Sequence, residues 1–327
     1  MTLTSHRTAY VFRRLPDGSP RLNVAETPQR NLPPEWNSII PTEVFLDEAS
    51  RIVEKSKQAG LTLRVMGGVG IALHSSNERN FAKRLGRIGS GTQEYTDLDF
   101  AGFFKERNRI VDFLSGQLGY AKRKTTISTS VSQRQIYFHP QGYFTVDVMM
   151  DKLLIANHPI DFRQRLGIDP LTLPLADLLL EKIQMWVSFS EKDLKDCLLL
   201  LKAHDVGGEG DEAESINADY IAGLLADDWG FYYTATMNLK RMADLVGTLD
   251  QRGQEVHIGP SQISAEEGGD ITGKIQRLLS KIEDHPKSFG WNVRSKLGTR
   301  KQWYRDVETP QTVGDFGLWR LRETDKQ

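Results

Sequence analysis

Two short stretches carry residue types that do chemistry when brought together. Arg64-Val65-Met66-Gly67-Gly68-Val69-Gly70-Ile71-Ala72-Leu73-His74 is an apolar run that breaks at a double glycine and re-enters as a helix. Tyr95-Thr96-Asp97-Leu98-Asp99-Phe100 reads as a strand with carboxylates at i and i+2. Side chains alternate along a strand with a period of two, so Asp97 and Asp99 point the same way. Like charges side by side on a half-buried strand repel unless a cation lies between them. A later run, Phe144-Thr145-Val146-Asp147-Val148-Met149-Met150, sets Asp147 between valines. If its strand lies beside that of Asp97 and Asp99, three acids converge on one point. Oxygen donors of this kind suit Mg²⁺ or Mn²⁺. Such ions activate a hydroxyl and clamp triphosphate oxygens for an in-line displacement. The amides of Gly67 and Gly68, at the start of a helix, suit the phosphates. The glycines form neither a Rossmann fingerprint, for want of the third glycine, nor a Walker loop, for want of a following Gly-Lys-Ser/Thr.

The elements that must position these groups follow from periodicity and turn chemistry. A helix opens with an N-cap signal at Thr42 and runs to about Gln58, with Val44, Phe45, Ile52 and Val53 at helical spacing. Leu61–Met66 reads as a buried strand, Val69–Leu73 as a helix and Thr96–Phe103 as a strand. A helix over about 106–118 and a strand over 119–126 come next. Arg134–Phe138 and Tyr143–Met150 flank Pro140-Gln141-Gly142 as a hairpin. Leu175–Phe189, Glu191–Ala203, Ile216–Ala226, Phe231–Leu249 and residues 271–284 carry helical patterns, with Gln251–Gly269 as a polar linker. The expected fold is α+β: a small mixed sheet flanked by helices, then a mainly helical region. The expected division is an extended arm over 1–41, a core over 42–160, and a helical region over 161–327 that ends in a basic, aromatic tail.

Composition narrows the class. At 39% hydrophobic and 26% charged over 327 residues, the chain can bury a sizeable core. No apolar run is long enough for a transmembrane helix, and the first residues lack a secretory h-region, so a cytoplasmic protein is expected. The single cysteine, Cys197, excludes an internal disulfide and falls in an apolar helical pattern, as a buried structural residue does. A net charge of −1 does not by itself point to a polyanion. In the tail, Phe289, Trp291, Trp303 and Tyr304 interleave with Lys287, Arg294, Lys296, Arg300, Lys301 and Arg305. Two readings stand open there: an RNA-binding element, or a terminal segment packing its aromatics on the body.

Gly-Gly at a strand end, Asp-x-Asp on the next strand and a lone Asp on a later one resemble the DNA polymerase β-type nucleotidyltransferase superfamily. Within it, Val65–His74 and Tyr95–Phe100 are similar to the nucleotidyltransferase toxins of abortive-infection, type IV toxin–antitoxin systems; antibiotic nucleotidyltransferases share a similar opening. Pro174–Gln184 and Glu191–Asp196 look like that toxin family's Glu-Lys helix and its Lys/Asp-rich helix, so the resemblance covers roughly residues 42–204. It implies that Gly67 and Gly68 bind the triphosphate and that Asp97 and Asp99 hold Mg²⁺ or Mn²⁺. It makes Asp147 the third ligand and the base, Lys182 a phosphate contact and Asp196 a second polar site residue. The implied activity is transfer of a nucleoside monophosphate from a triphosphate to a hydroxyl on tRNA, a protein or a small molecule, with an antitoxin as a possible partner. A noncatalytic, antitoxin-like or regulatory module on the same fold is the alternative. Read without the resemblance, Lys182 is a solvated helix lysine beside a leucine face, and Asp196 a surface acid paired with Lys192. Two features depart from the family pattern. Gly68 stands where a serine is common, and Asp97 follows it by 29 residues because of the inserted stretch Ser75–Glu94. That stretch carries Arg79, Lys83, Arg84 and Arg87, either as phosphate contacts or as a plain surface loop. His74 reads as a packing residue, since a Mg²⁺ site prefers oxygen.

Overall fold

The structure is a computed structural model; it describes residues 32–87, 93–123, 133–154, 156–186, 189–207, 212, 214–247 and 262–305. Most of the expected N-terminal arm lies outside these residues. The central sheet has five strands: β1 (Leu63–Met66), β2 (Asp97–Gly102), β3 (Ala121–Lys122), β4 (Arg134–Phe138) and β5 (Thr145–Met150). Their order is β1-β2-β5-β4-β3, with β2 and β5 parallel and the other pairs antiparallel. The fold is therefore α+β around a mixed sheet.

Strand alternation divides this sheet into two unlike faces. Leu63, Val65, Leu98, Phe100, Tyr137, Val146 and Val148 turn to one side, where Phe45 and Ile52 of α1 (Thr42–Gln58) cover them. The other face combines Met66, Ala101 and Met149 with the acids of β2 and β5. Its apolar part continues without a break into the helical region. That region comprises α5 (Leu175–Ile183), α6 (Glu191–Ala203), α7 (Ala218–Asp227), α8 (Trp229–Gly247) and α9 (Ala265–Asp284). Burying each large aliphatic side chain contributes about 1.5–3 kcal/mol, so this face binds sheet and helices into one body.

Several expected boundaries move, each for a local reason. Thr42 is the first residue of α1 rather than its cap, and its hydroxyl bonds to the Glu94 carboxylate instead. α5 ends at Ile183, short of the expected Phe189, because the Asn238 side-chain amide donates to the Ile183 and Met185 carbonyls at 2.9 and 2.8 Å. The helix after β2 is shorter at its start: Arg107–Val111 forms α4 and continues as a π-helical turn over Asp112–Gln117. Of the strand expected over 119–126, Ala121–Lys122 forms β3, and residues 124–126 lie outside the described residues. The expected polar linker gives way at Ser264, whose capping box with Glu267 starts α9 six residues before 271.

Candidate active site

The glycine turn and the acid strand meet at one edge of the polar face. α2 (Gly67–His74) starts directly where β1 ends, and Met66 lies opposite Asp99 in the antiparallel β1–β2 register. Asp99 in turn lies opposite Asp147 in the parallel β2–β5 register. Register partners on adjacent strands share a face, and the strands run about 4.8 Å apart. The three-acid convergence anticipated from spacing thus has its backbone frame. Gly67 is required twice over: its φ is +70°, and a Cβ there would stand 2.8 Å from Asp99 Oδ2.

A second set of groups arrives from the helices. The Gly67 amide donates to Glu181 Oε1 at 2.7 Å, while Glu181 Oε2 is buried without a partner. The first amide of the glycine pair is therefore already engaged. Lys182 is not a solvated lysine: it is 8% exposed, and its ammonium lies 3.2 Å from Asp193 and 3.1 Å from Asp196. Asp193 does two jobs, since its other oxygen accepts from the Ser190 amide in the capping box that starts α6. Asp196 is not a surface acid paired with Lys192. It is 3% exposed and accepts a bidentate pair from Arg87, with Nε at 2.6 Å and Nη2 at 2.9 Å. Arg87 follows α3 (Arg79–Leu85), the helix formed within the inserted stretch, and also donates to the Glu94 carbonyl at 2.6 Å. Its guanidinium lies so close to Gly68 that a Cβ there would come within 2.7 Å of Cζ. Sequence reasoning grouped Arg87 with three other basic residues and gave Glu181 no role. Glu181 had one available signal, an acid in a leucine-rich run with no basic residue a turn before it.

The charges bear on one another. Burial first, then the charges of Asp97 and Asp147, push Asp99 up to about 8. Burial and the Lys182 and Asp99 charges act on Glu181, with burial dominant, and it too rises to about 8. Asp147 is raised by burial against the opposing pull of Arg134, which pairs with its Oδ2. Asp196 behaves oppositely. Burial alone would raise it, yet Arg87 and Lys182 hold it well below the usual carboxylate range. Against burial, Asp196 and Asp193 hold Lys182 well above the usual ammonium range. The site thus has a charge-satisfied half, Arg87–Asp196–Lys182–Asp193, beside a half with more carboxyl groups than cations to pair them.

Among the described residues, no group of three His, Cys, Asp or Glu side chains is arranged as a ready metal site. The donor chemistry nevertheless fits a hard cation. Asp147 Oδ1 is buried without a partner, and burial and the charges of Asp97 and Asp147 push Asp99 up. Both conditions are relieved by a divalent ion with oxygen ligands.

The remaining candidates take ordinary places. His74 stacks edge-on to His204 and lies 3.9 Å from Asp169, away from the acids. Arg84 pairs with Glu267 and Arg79 with Glu43 near the surface. Cys197 is fully buried. In the tail, Trp303 packs edge-on to Trp186 and Tyr233, and Trp291 of α10 (Phe289–Ser295) packs edge-on to Tyr232. These tryptophans pack on the body as the second tail reading expects, while Phe289 remains 86% exposed. No helix is long and apolar enough to cross a membrane among the described residues. Compared with protein families, curated proteins and solved structures, the chain matches none.

Proposed function

We propose that the chain is a metal-dependent nucleotidyltransferase of the polymerase β type, acting in the cytoplasm. One observation supports this above the rest: Asp99 faces Asp147 across a parallel strand pair and abuts the Gly67 turn that opens α2. Asp97, Asp99 and Asp147 are the residues to hold Mg²⁺ or Mn²⁺. A cation there supplies neutralisation of triphosphate charge and a more acidic hydroxyl. The residues of the chain do the rest. The Gly68 end of α2 receives phosphate oxygens through its first-turn amides. Lys182, oriented by Asp193 and Asp196, offers a fixed ammonium to the phosphates. Asp147 takes the proton of the attacking hydroxyl. That oxygen bonds to the α-phosphorus, the bond to the bridging oxygen breaks, and pyrophosphate leaves. The acceptor is tRNA, a protein or a small molecule, in that order of preference, and a toxin–antitoxin setting with an antitoxin partner belongs to this reading.

A second reading, a noncatalytic nucleotide-binding or regulatory module, draws on two contacts. Arg134 already pairs with Asp147, and Glu181 already occupies the Gly67 amide. Incubation with each α-labelled nucleoside triphosphate, Mg²⁺, and total tRNA or cell protein separates the two. Nucleotidyl transfer predicts label on an acceptor with wild type and none with Asp97→Ala. Mg²⁺-dependent nucleotide binding without any transfer supports the module.

A further inference from the structure

A cavity of about 340 Å³ lies between the start of α1, α2, α3 and α6. None of Asp97, Asp99, Asp147, Gly67, Gly68 or Lys182 lines it. Its volume sits at the lower end of the range for small-molecule sites, about 300–1,000 Å³. Leu46, Ala72, Ala82, Leu85 and Leu199 supply apolar wall. Tyr95 also lines it and carries the Arg87 guanidinium 4.8 Å from its ring centroid.

The polar groups of the wall are unevenly committed. The acids are engaged: Asp196 by Arg87 and Lys182, Glu43 by Arg79, and Glu94 by the Thr42 hydroxyl. Lys195 donates to the Gly86 carbonyl at 2.7 Å and pairs with Glu191. Donors are left over. Ser75 is 2% exposed, and its hydroxyl has no partner. Lys83 is exposed and has no ion-pair partner among the described residues. Arg87 uses three N–H groups, two on Asp196 and one on the Glu94 carbonyl, and a guanidinium has about five. A lining with spare donors, a cation at its mouth and an apolar body wants an acceptor-rich anion joined to a flat or apolar group.

We propose that this cavity binds a small phosphorylated molecule of mononucleotide size, its phosphate toward Lys83, Ser75 and Arg87 and its ring against the apolar wall. This site is separate from the acid strand and does not depend on nucleotidyl transfer. It has one route to that strand. Arg87 both lines the cavity and presses on Gly68, and it shares Asp196 with Lys182.

The test is calorimetric titration of the full chain in EDTA with adenosine monophosphate, uridine monophosphate and inorganic phosphate. The expected result is binding of at least one mononucleotide, unchanged in Asp99→Asn, at least tenfold weaker in Lys83→Glu, and abolished in Ala82→Trp. Lys83 is exposed, so Lys83→Glu decides even if the larger side chain at 82 impairs folding. The proposal is overturned if no probe binds in EDTA, or if binding ignores Lys83→Glu. It is equally overturned if inorganic phosphate binds as well as the mononucleotides, or if binding disappears in Asp99→Asn, which would put the ligand at the acid strand. Because EDTA removes the divalent ions, failure here leaves the label-transfer experiment to judge the transferase reading separately.

Discussion

Replacing Asp99 by asparagine separates stability from function in a way this site makes calculable. Asp99 sits opposite Asp147 and beside Asp97, and burial together with those two charges pushes its carboxyl up to about 8. An unfolded aspartate titrates near 3.9. At pH 7 the folded chain must therefore hold a proton that the unfolded chain has released, over about three pH units at about 1.4 kcal/mol each. Solvent screening at a half-buried carboxyl cuts this to about 2 kcal/mol. The sign follows from proton linkage. The folded state binds more protons between the two pKa values, so Asp99 lowers stability progressively as pH rises from about 4 to 8. Asp99→Asn removes that penalty at nearly constant shape. Urea unfolding in EDTA is expected to show the variant more stable than wild type by about 1–2 kcal/mol at pH 7.5, and by much less at pH 4.5. Added Mg²⁺ should stabilise wild type and leave the variant unmoved. A variant less stable than wild type at pH 7.5, or a gain that does not vary with pH, refutes the charge-crowding argument.

Other perturbations probe the rest of the site. Asp196→Ala leaves the Arg87 and Lys182 cations buried short of a partner and should cost about 3–5 kcal/mol in denaturant unfolding, as broken buried pairs do; Asp196→Asn, which keeps some hydrogen bonding, should lose less. Asp196 is held low, so its contribution is present above about pH 4 and is lost as pH falls below it; the Asp196→Asn penalty should therefore shrink in acid. Gly67→Ala forces a left-handed φ and a clash with Asp99, so transfer activity should fall by more than tenfold with a loss of about 1–3 kcal/mol in stability. Trp303→Ala removes the ring packed on Trp186 and Tyr233 and should lower the unfolding midpoint while leaving nucleotide binding intact; lost tRNA binding with unchanged stability would favour the RNA-binding reading of the tail.

Much of the sheet was legible because its signals are local. Alternation placed Asp97 and Asp99 on one face, and valines around Asp147 marked a buried strand, so only adjacency was left for the structure to supply. The turn at Gly67 was legible because a double glycine after an apolar run has few other uses. What remained hidden depends on contacts distant in sequence. By residue pattern alone Lys182 and Asp196 look like solvated helix residues, and only the family resemblance marks them; their burial follows from α5 packing on α6 and from Arg87 of the inserted stretch. No spacing rule ties Arg87 to Asp196, which lies 109 residues on. The end of α5 was missed because its carbonyls are capped by Asn238 of α8, a partner that helix periodicity does not reveal. Arg134 was invisible as a site residue for a related reason. Its pairing with Asp147 follows from the β4–β5 register, where it lies opposite Met149 on the same face.

On the reading proposed above, the β2–β5 acids and the Gly67 turn form one metal and triphosphate site. A crystal structure of the full chain with Mn²⁺ and a non-hydrolysable nucleoside triphosphate tests it most directly, read from the manganese anomalous signal. The expected result is a peak within about 2.0–2.3 Å of carboxylate oxygens from both β2 and β5, Arg134 withdrawn from Asp147, and phosphate density at the start of α2. A nucleotide bound elsewhere, with no manganese between Asp99 and Asp147 and the Arg134 pair intact, would contradict it.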